Sequence, residues 1–467
     1  MACHGLFTLH VRISDNTGFS YRKNIGRFNR EFSEQFSSLL HQLVTLPFGP
    51  FEQHPLLVLV FWQYRGVLWN LRPLAYYVPC SIMGCGMKIV EVRGYRLRYV
   101  LPEPVGNSLK LFRDRDAFLI EVIGDTGIRG WGEVLVSPDA ASTYIRTTLA
   151  PILLGENPRE TGRLWRQMVD RAGFDRRGVA IMSSGGVDIA LHDLAARDLG
   201  IPLSALLGGA VRKQVLAYAS GPFFKPDGHP YRNYEREVEG HLKAGFTAIK
   251  PRAGLAPRED GKMARALRSL VGPDASLMMD FNQGYTAPAA IESAHRMREA
   301  DLLWIEEPVQ PEDIVAYQNV IRAVPVAVAG GEAWASLSAF RDFITQNAVS
   351  IVQPDLAFCG GFTGFQCIQA LAEAFDIPVV PHVWGTTVNF HAALHVNAVL
   401  PAYRGGARMP FPFMEYDVSP NPFFHELGIP PLNADGTITI PDEPGLGLTL
   451  SGESLQPWLI DHWSVHN

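Results

Sequence analysis

The sequence predicts an α/β protein: a (β/α)8-type barrel, that is, a modified TIM barrel, with an α+β capping domain formed by the N-terminal part and the C-terminal tail. Strand-like alternation begins at residue 87, and short runs that are apolar on both faces follow after residue 211. Neighbouring runs begin roughly 22–36 residues apart, which leaves room for one helix each. The eight runs are Val215–Ser220, Phe246–Arg252, Ala275–Asn282, Asp301–Pro308, Val326–Glu332, Val349–Asp355, Ile377–Val383 and Phe411–Asp417.

The first 86 residues differ from the rest of the chain, because neither helical nor strand periodicity persists in them. We predict that residues 1–86 are a poorly ordered, atypical extension, or translated sequence upstream of a true start at Met87. The alternative is a targeting or membrane-associating segment. Its strongly apolar run, Pro55–Trp62, is far shorter than the ~20 residues that a membrane helix needs.

Residues 87–210 are predicted to form the α+β capping domain. Met87–Leu101 alternates like a strand, and Ala117–Leu135 has the pattern of a hairpin around Gly124–Ile128. The segment between them, Leu101–Arg115, is polar and marked by proline and glycine, so we predict a loop there. Helical patterns follow as far as Leu207.

The catalytic barrel is predicted over residues 211–415. The remaining 416–467 segment has strand and turn character, particularly from Ile438 to Leu450. We expect this tail to return and pack on the cap.

Ionisable residues end seven consecutive runs, and the barrel fold would gather them at one mouth, where active sites lie. A single acid after a strand is usually a helix N-cap, but N-caps would include Ser, Thr and Asn just as often. Seven in register therefore favour a functional site. They are Lys250 with Arg252, Asp280, Glu306 with Glu307, Glu332, Asp355, His382 and Glu415.

Three of these acids, Asp280, Glu306 and Glu332, follow one another at equal intervals of 26 residues. Equal spacing puts one carboxylate on each of three successive strands. Three oxygen ligands suit an octahedral Mg²⁺ that keeps positions open for substrate and water, whereas zinc would prefer nitrogen or sulfur. The alternative is a set of structural salt bridges to Lys250 and Arg252, which would leave repulsion that a divalent ion relieves.

Asp355 and His382 end two successive runs. A carboxylate that accepts a hydrogen bond from one imidazole nitrogen orients the ring and leaves the other nitrogen for proton transfer. Because His382 follows a buried run and precedes a glycine turn, we favour a catalytic role over a structural one.

These residues together resemble the enolase superfamily, and within it the mandelate racemase subgroup, over Met87 to about Ser451. Each motif is weak alone, but their order and spacing are specific. The matching motifs are Lys-x-Arg at Lys250, Asp280–Asn282, Ile305–Pro308, Gly330–Glu332, Gln353–Asp355 and Pro381–His382. Gly330–Trp334, Cys359–Phe362, Pro381–Thr386, Met414–Asp417 and Pro441–Leu448 are similar to the acid-sugar branch, which includes galactarolactone cycloisomerases and sugar-acid dehydratases.

The resemblance implies roles for the residues. Asp280, Glu306 and Glu332 would bind Mg²⁺, which would hold the substrate carboxylate and stabilise the enediolate formed when the α-proton leaves. His382, held by Asp355, would be the base or the acid. Glu415 would donate to the carboxylate, provided that its pKa is raised enough to keep a proton.

Two further residues are candidates for substrate binding. Asn282 would position the metal or the substrate, although an Asx turn explains it equally well. Trp384 would flank the substrate or simply pack against neighbouring side chains.

One residue departs from the racemase pattern, which is Lys-x-Lys with the second lysine acting as a base. Here Arg252 occupies that position, and arginine keeps its charge at any ordinary pH. Racemisation by two bases therefore loses support, and chemistry run by His382 alone gains it. Lys250 and Arg252 would then act as electrostatic stabilisers.

The leading hypothesis is a Mg²⁺-dependent carbon–oxygen lyase that dehydrates a sugar acid to a 2-keto-3-deoxy acid. The close alternative is a cycloisomerase that opens a sugar-acid lactone of the galactarolactone type. An epimerase or racemase is a third and less favoured hypothesis. A catalytically silent barrel used for binding is a hypothesis of a different class.

Composition limits the partners and the compartment. The formal net charge of -6 provides no basic surplus for a nucleic acid, so we expect a small-molecule partner and no nucleic acid or membrane. Five cysteines spread over 467 residues favour a reducing compartment, that is, the cytoplasm. The family resemblance implies a homo-oligomer.

Overall fold

The computed structural model describes residues 86–403 and 411–466, together with three strands earlier in the chain. The chain divides into two compact units, residues 1–86 and 87–467. In the first unit, β1 (Phe7–Ile13) pairs antiparallel with β2 (Phe19–Arg22) and with β3 (Val58–Phe61). Apart from these strands, the predicted poorly ordered extension lies outside the described residues. Among the described residues, no helix is both long enough and apolar enough to span a bilayer.

The cap is built on an antiparallel sheet in the order β16-β4-β5-β6. Its strands are β4 (Ile89–Gly106), β5 (Leu111–Gly124), β6 (Arg129–Val134) and β16 (Leu459–His466). The hairpin predicted around Gly124–Ile128 is present as the β5–β6 pair. The cap helices are α1 (Pro138–Tyr144), a π-helical turn (Ile145–Leu149), α2 (Ala150–Leu153), α3 (Thr161–Arg171), α4 (Val179–Leu199) and α5 (Leu203–Leu206).

The loop predicted over Leu101–Arg115 is wrong for most of its length. β4 continues to Gly106 and β5 begins at Leu111, and the pairing resumes at Val105 with Phe112 after an irregularity. Two prolines, which lack an N–H, lie in that irregular stretch, so they interrupt the ladder without ending the strand.

The barrel strands are parallel to their neighbours and form two sheets, β14-β7-β8-β9 and β10-β11-β12-β13. Only Met278 separates β9 from β10, so the chain itself links the sheets. The strands are β7 (Gln214–Ser220), β8 (Ala248–Lys250), β9 (Ser276–Leu277), β10 (Met279–Asp280), β11 (Trp304–Glu306), β12 (Ala327–Gly330), β13 (Ile351–Val352) and β14 (Phe413–Asp417).

Helices follow the strands and cover the barrel, as its buried, two-faced apolar strands require. They are α6 (Tyr234–Lys243), α7 (Pro257–Val271), α8 (Ala287–Arg296), α9 (Ile314–Ala323), α10 (Leu337–Thr345), α11 (Leu356–Cys359), α12 (Gly361–Ala374), α13 (Thr387–Val399) and α14 (Pro422–His425). Two 3₁₀ turns complete the helical segments, Arg298–Ala300 and Gln456–Trp458.

The seventh predicted run, Ile377–Val383, forms a single parallel bridge between Val379 and Val352 instead of a strand. Pro378 and Pro381 lie on either side of that bridge and have no N–H for a ladder. The run nevertheless occupies the next barrel position, because the Val380 N–H donates to the Val352 carbonyl.

The tail contacts both parts of the second unit. β15 (Thr437–Thr439) pairs antiparallel with β7 of the barrel, and β16 pairs antiparallel with β4 of the cap. The predicted boundary between barrel and tail, at residue 415, falls inside β14. The predicted tail thus begins with the end of a barrel strand and adds β15 to the barrel sheet before β16 joins the cap.

Close packing of β6 on α4 requires glycine at position 132. A Cβ built there would lie 1.9 Å from the Gly186 carbonyl oxygen of α4. We expect Gly132→Ala to lower the free energy of unfolding by about 1–3 kcal/mol, because two backbone segments would have to separate. Gly240→Ala in α6 meets no atom within 4 Å and should raise it by about 0.5–1 kcal/mol. Urea unfolding compares the two, and an unchanged Gly132→Ala midpoint would contradict the packing.

Candidate active site

The carboxyl ends of the barrel strands bring the predicted ionisable residues together. Asp280 ends β10, Glu306 ends β11, and Glu332 follows β12. Each offers one carboxylate oxygen, and the three oxygens lie within 4.8 Å of one another. Sequence spacing alone placed these acids on adjacent strands, and the parallel pairing of β10, β11 and β12 brings them side by side.

The three carboxylates fit a divalent cation. Burial raises the pKa of each of them above its ordinary value, and the nearby carboxylates add to the rise. Oε2 of Glu332 is buried and makes no hydrogen bond within the described residues, and its neighbour there is His382 Nε2 at 3.2 Å. A cation would stabilise the ionised forms and take this oxygen as a ligand, and all three ligands are the oxygens that Mg²⁺ prefers.

Lys250 and Arg252 lie against the same acids and are themselves buried. Lys250 Nζ is 2.6 Å from Glu306 Oε1 and 2.9 Å from Glu415 Oε1, and Arg252 binds Asp280. Burial lowers the pKa of both cations, but the surrounding carboxylates outweigh it and raise their pKa above the ordinary values. Both side chains therefore stay charged and are poorly suited to act as bases.

His382 is oriented by Asp355. The ring Nδ1 lies 2.7 Å from Asp355 Oδ2, and Asn389 Nδ2 donates to both oxygens of that carboxylate at 3.2 Å. Asp355 also caps α11, because its Oδ1 accepts from the Ala357 N–H, so it serves as an N-cap and a histidine partner at once. With Nδ1 committed to Asp355, Nε2 is the nitrogen left for proton transfer, and in this structure it lies 3.2 Å from Glu332 Oε2.

The charge state of His382 depends on its acidic neighbours. Burial lowers the pKa of His382, but Glu332, Glu415 and Asp355 outweigh it and raise the pKa to about 10. The imidazole thus responds to whatever neutralises those carboxylates, above all Glu332.

The proton-donor role predicted for Glu415 requires a raised pKa, and its surroundings act in the other direction. Burial raises its pKa, but the charges of Lys250, His382 and Arg252 outweigh burial and lower the pKa below the ordinary value. Glu415 is an ionised acceptor that receives hydrogen bonds from Ser220 Oγ at 2.7 Å and from the Val383 N–H at 3.0 Å. Its charge holds Lys250 and the His382 segment in place.

The two candidate substrate-binding residues lie at the same mouth. The Asx turn here belongs to Asp280, whose Oδ1 accepts from the Asn282 N–H at 2.8 Å. The Asn282 side chain donates its Nδ2 to Asp280 Oδ2 at 3.1 Å, while its buried Oδ1 makes no hydrogen bond within the described residues. Trp384 lies between the barrel and the cap, and the Arg115 guanidinium lies 3.6 Å from its ring centroid.

Sequence reasoning missed several residues that surround these groups. Ser220 ends β7 and Gln353 directly follows β13. Their position could have indicated a role, although none is predicted above for Ser220 and Gln353 is named there only as part of a motif. Gln353 Nε2 donates to Glu306 Oε2 at 2.6 Å. Arg115 and Glu133 come from the cap, and no strand-end signal marks them. Arg115 pairs with Asp417 at 3.0 Å, and Glu133 accepts hydrogen bonds from Thr386.

A capped (β/α)8 barrel whose mouth gathers three carboxylates, two cations and an oriented histidine has the architecture of an acid–base enzyme. Residues 92–208 match the model of the mandelate racemase/muconate lactonizing enzyme N-terminal domain, and residues 233–454 match that of the enolase C-terminal domain-like family. The chain belongs to the enolase superfamily, in its mandelate racemase subgroup, which confirms the resemblance.

Two similar proteins are named for reactions of acid sugars. D-galactarolactone cycloisomerase of Agrobacterium fabrum is 36% identical over 371 residues, which cover 79% of this chain and 98% of that protein. Arabinonate dehydratase of Saccharolobus solfataricus is 30% identical over 373 residues, covering 78% and 96%.

A solved relative holds magnesium. L-talarate/galactarate dehydratase of Salmonella typhimurium, liganded with Mg and L-lyxarohydroxamate, superimposes with a TM-score of 0.73 at 26% identity. The superposition covers 84% of this chain and 98% of the dehydratase chain. All three similar proteins are named as enzymes that act on acid sugars or their lactones. Two are dehydratases, which are lyases, and one is a cycloisomerase, so the comparison leaves the reaction class of this chain open.

Proposed function

We propose that the protein removes the α-proton of a sugar-acid carboxylate and then eliminates the oxygen at the β-carbon, most simply as an acid-sugar dehydratase. The observation that carries the proposal is the imidazole of His382, which Asp355 orients at the barrel mouth. His382 has Nδ1 fixed by Asp355 and keeps Nε2, which lies 3.2 Å from Glu332 Oε2, for proton transfer, whereas Lys250 and Arg252 are held in their charged forms. One base and two fixed positive charges suit β-elimination better than two-base racemisation.

Asp280, Glu306 and Glu332 would hold Mg²⁺, because their oxygens lie within 4.8 Å of one another and one of them is buried without a hydrogen bond. Bound there, Mg²⁺ would neutralise the charge that develops on the substrate carboxylate and would shield His382 from Glu332. The chain's own cations act in the same sense, because Lys250 and Arg252 bring fixed positive charge to the site.

The proton balance needs His382 alone. The C–H bond of the α-carbon breaks and its proton passes to Nε2, while Asp355 stabilises the imidazolium through Nδ1. The α,β double bond forms as the bond to the β-oxygen breaks, and the imidazolium returns the proton to that oxygen, releasing water. The resulting enol becomes a 2-keto-3-deoxy acid.

A second candidate is the opening of a sugar-acid lactone by the same first step. The 36% identical relative is named for that reaction. In addition, the raised pKa of Lys250 and Arg252 makes both cations weak acids, and the lowered pKa of Glu415 leaves it without a proton, so none of them is suited to protonate a leaving group. A lactone oxygen leaves as a carboxylate, which needs no proton, whereas hydroxide does.

Proton NMR in D2O with Mg²⁺ tests the proposal. We expect one member of a panel of aldonates, aldarates and their lactones to yield a 2-keto-3-deoxy acid. Comparing each lactone with its own open acid separates the candidates, because a dehydratase consumes the open acid and a cycloisomerase only the lactone. The same incubation with excess chelator is the control.

Two results would overturn the proposal. Deuteration at the α-carbon without elimination would indicate an epimerase. No turnover on the whole panel, together with no Mg²⁺ binding by calorimetry, would indicate a catalytically silent barrel.

A further inference from the structure

Glu133 is a buried carboxylate of the cap whose partners all lie in the barrel. It belongs to β6 and is 1% exposed. Its oxygens accept from the Thr386 N–H at 2.9 and 3.1 Å, from Thr386 Oγ1 at 2.6 Å and from the Asn389 N–H at 3.1 Å. Every described partner is a backbone N–H or a hydroxyl, and none is a cation.

The segment that Glu133 holds is the one that carries His382 into α13. Thr386 caps this helix, since its Oγ1 accepts from the Val388 N–H, and Glu133 satisfies two further N–H groups of the first turn. The positive end of the helix dipole favours an anion there. Burial raises the pKa of Glu133 to about 7, although the hydrogen bonds from Thr386 and Asn389 act to lower it.

The absence of a side chain at Gly385 leaves space for the Glu133 carboxylate. A Cβ at Gly385 would lie 2.4 Å from Glu133 Oε1. A side chain at position 385 would therefore displace the carboxylate from the helix terminus.

The same helix terminus holds the partner of His382. Asn389, whose N–H binds Glu133, donates its side-chain amide to both oxygens of Asp355, and Asp355 binds His382. The other amide atom, Asn389 Oδ1, is buried without a hydrogen bond in the described structure. The direction of the amide is thus set by where the first turn of α13 is placed.

We propose that Glu133 is a positioning residue that fixes the Asp355–His382 pair from the cap, by way of the first turn of α13 and Asn389. Its contribution to catalysis rests on the proposed function, in which His382 is the base. Its contribution to the geometry of the pair does not. A group in the cap, on this view, sets the orientation of the base in the barrel.

The test compares Glu133→Gln with Glu121→Gln in the full-length protein. Glu121 is a second buried glutamate of the cap sheet, but its partners Tyr95, Arg93 and Arg129 all belong to the cap. Ring ¹⁵N chemical shifts of His382, assigned through His382→Asn in histidine-labelled protein, report the hydrogen bond to Asp355 without any substrate. We expect them to move in Glu133→Gln and to stay at the wild-type values in Glu121→Gln.

Turnover provides the second measurement. With the substrate found on the panel, kcat of Glu133→Gln should fall about 10- to 100-fold, as is usual when the partner behind a functional side chain is lost. KM and the calorimetric Mg²⁺ affinity should change little, and the deuterium isotope effect with α-deuterated substrate should rise. Glu133→Asp, which keeps the charge, should recover part of the loss.

A variant with an intact Glu133 guards against failure to fold. Asn389→Ala keeps the backbone bonds to Glu133 and removes only the amide that reaches Asp355, so it should give the same ¹⁵N and kinetic changes. Unchanged His382 shifts in either folded variant would overturn the proposal. A further outcome is that the wild type shows no turnover on the panel while the His382 shifts of the two variants still differ from its own. That result would support the positioning role and reject the proposed function.

Discussion

His382→Asn should reduce kcat by about 10²–10⁴-fold, the contribution that a positioned general base makes. Asn retains a side chain that can hydrogen-bond Asp355 but has no group that accepts and returns a proton near neutral pH. Lys250 and Arg252 cannot replace the imidazole, because the surrounding carboxylates raise the pKa of both. Steady-state rates of keto-acid release give the measurement.

The control is His295→Asn, because His295 is an exposed residue on α8, away from the strand ends. It should have wild-type kcat. Calorimetry should show that His382→Asn still binds Mg²⁺, since all three candidate ligands remain. If His382→Asn kept kcat within tenfold of wild type, the base would have to be another group.

The parallel order of the barrel explains how far the sequence could predict the site. The carboxyl ends of parallel strands meet at one mouth, so a residue's position at the end of an apolar run was enough to place Asp280, Glu306 and Glu332 together. The same rule worked for Ile377–Val383, which is bridged at one residue and still delivers His382 to Asp355.

The parts that sequence could not predict depend on contacts between the cap and the barrel and on local charge. Glu133 and Thr386 are 253 residues apart, and no periodicity in either segment indicates that they meet. The ionised state of Glu415 follows from its distances to Lys250 and His382, which exist only once the barrel has closed. The ends of the strands therefore indicate the reacting groups. Their protonation states, and the residues that hold them in place, can be inferred only from the contacts in the folded structure.

The metal site has one ligand that can be neutralised with little damage to the surrounding structure. In Glu306→Gln, Lys250 keeps its contact with Glu415 at 2.9 Å, so the buried ammonium is not left without a partner. The new amide oxygen can still accept from Gln353 and from Trp304, which both donate to Glu306 Oε2, at 2.6 and 3.0 Å. The amide NH2 then takes the place of Oε1, so Lys250 gives up its contact with residue 306 and keeps the one with Glu415. We therefore expect a folded protein that has lost one of three anionic ligands.

Glu306→Gln should weaken Mg²⁺ binding at least about 100-fold, because a direct ligand matters more than the groups behind it, which are worth 10- to 100-fold. Without the ion, the substrate carboxylate would meet Asp280 and Glu332 unshielded, and turnover should be lost. Glu312→Gln changes an exposed glutamate shortly after the same strand and should bind Mg²⁺ as wild type does. Calorimetric titration decides the matter: equal Mg²⁺ affinity in Glu306→Gln and Glu312→Gln would show that the three acids form salt bridges and hold no metal.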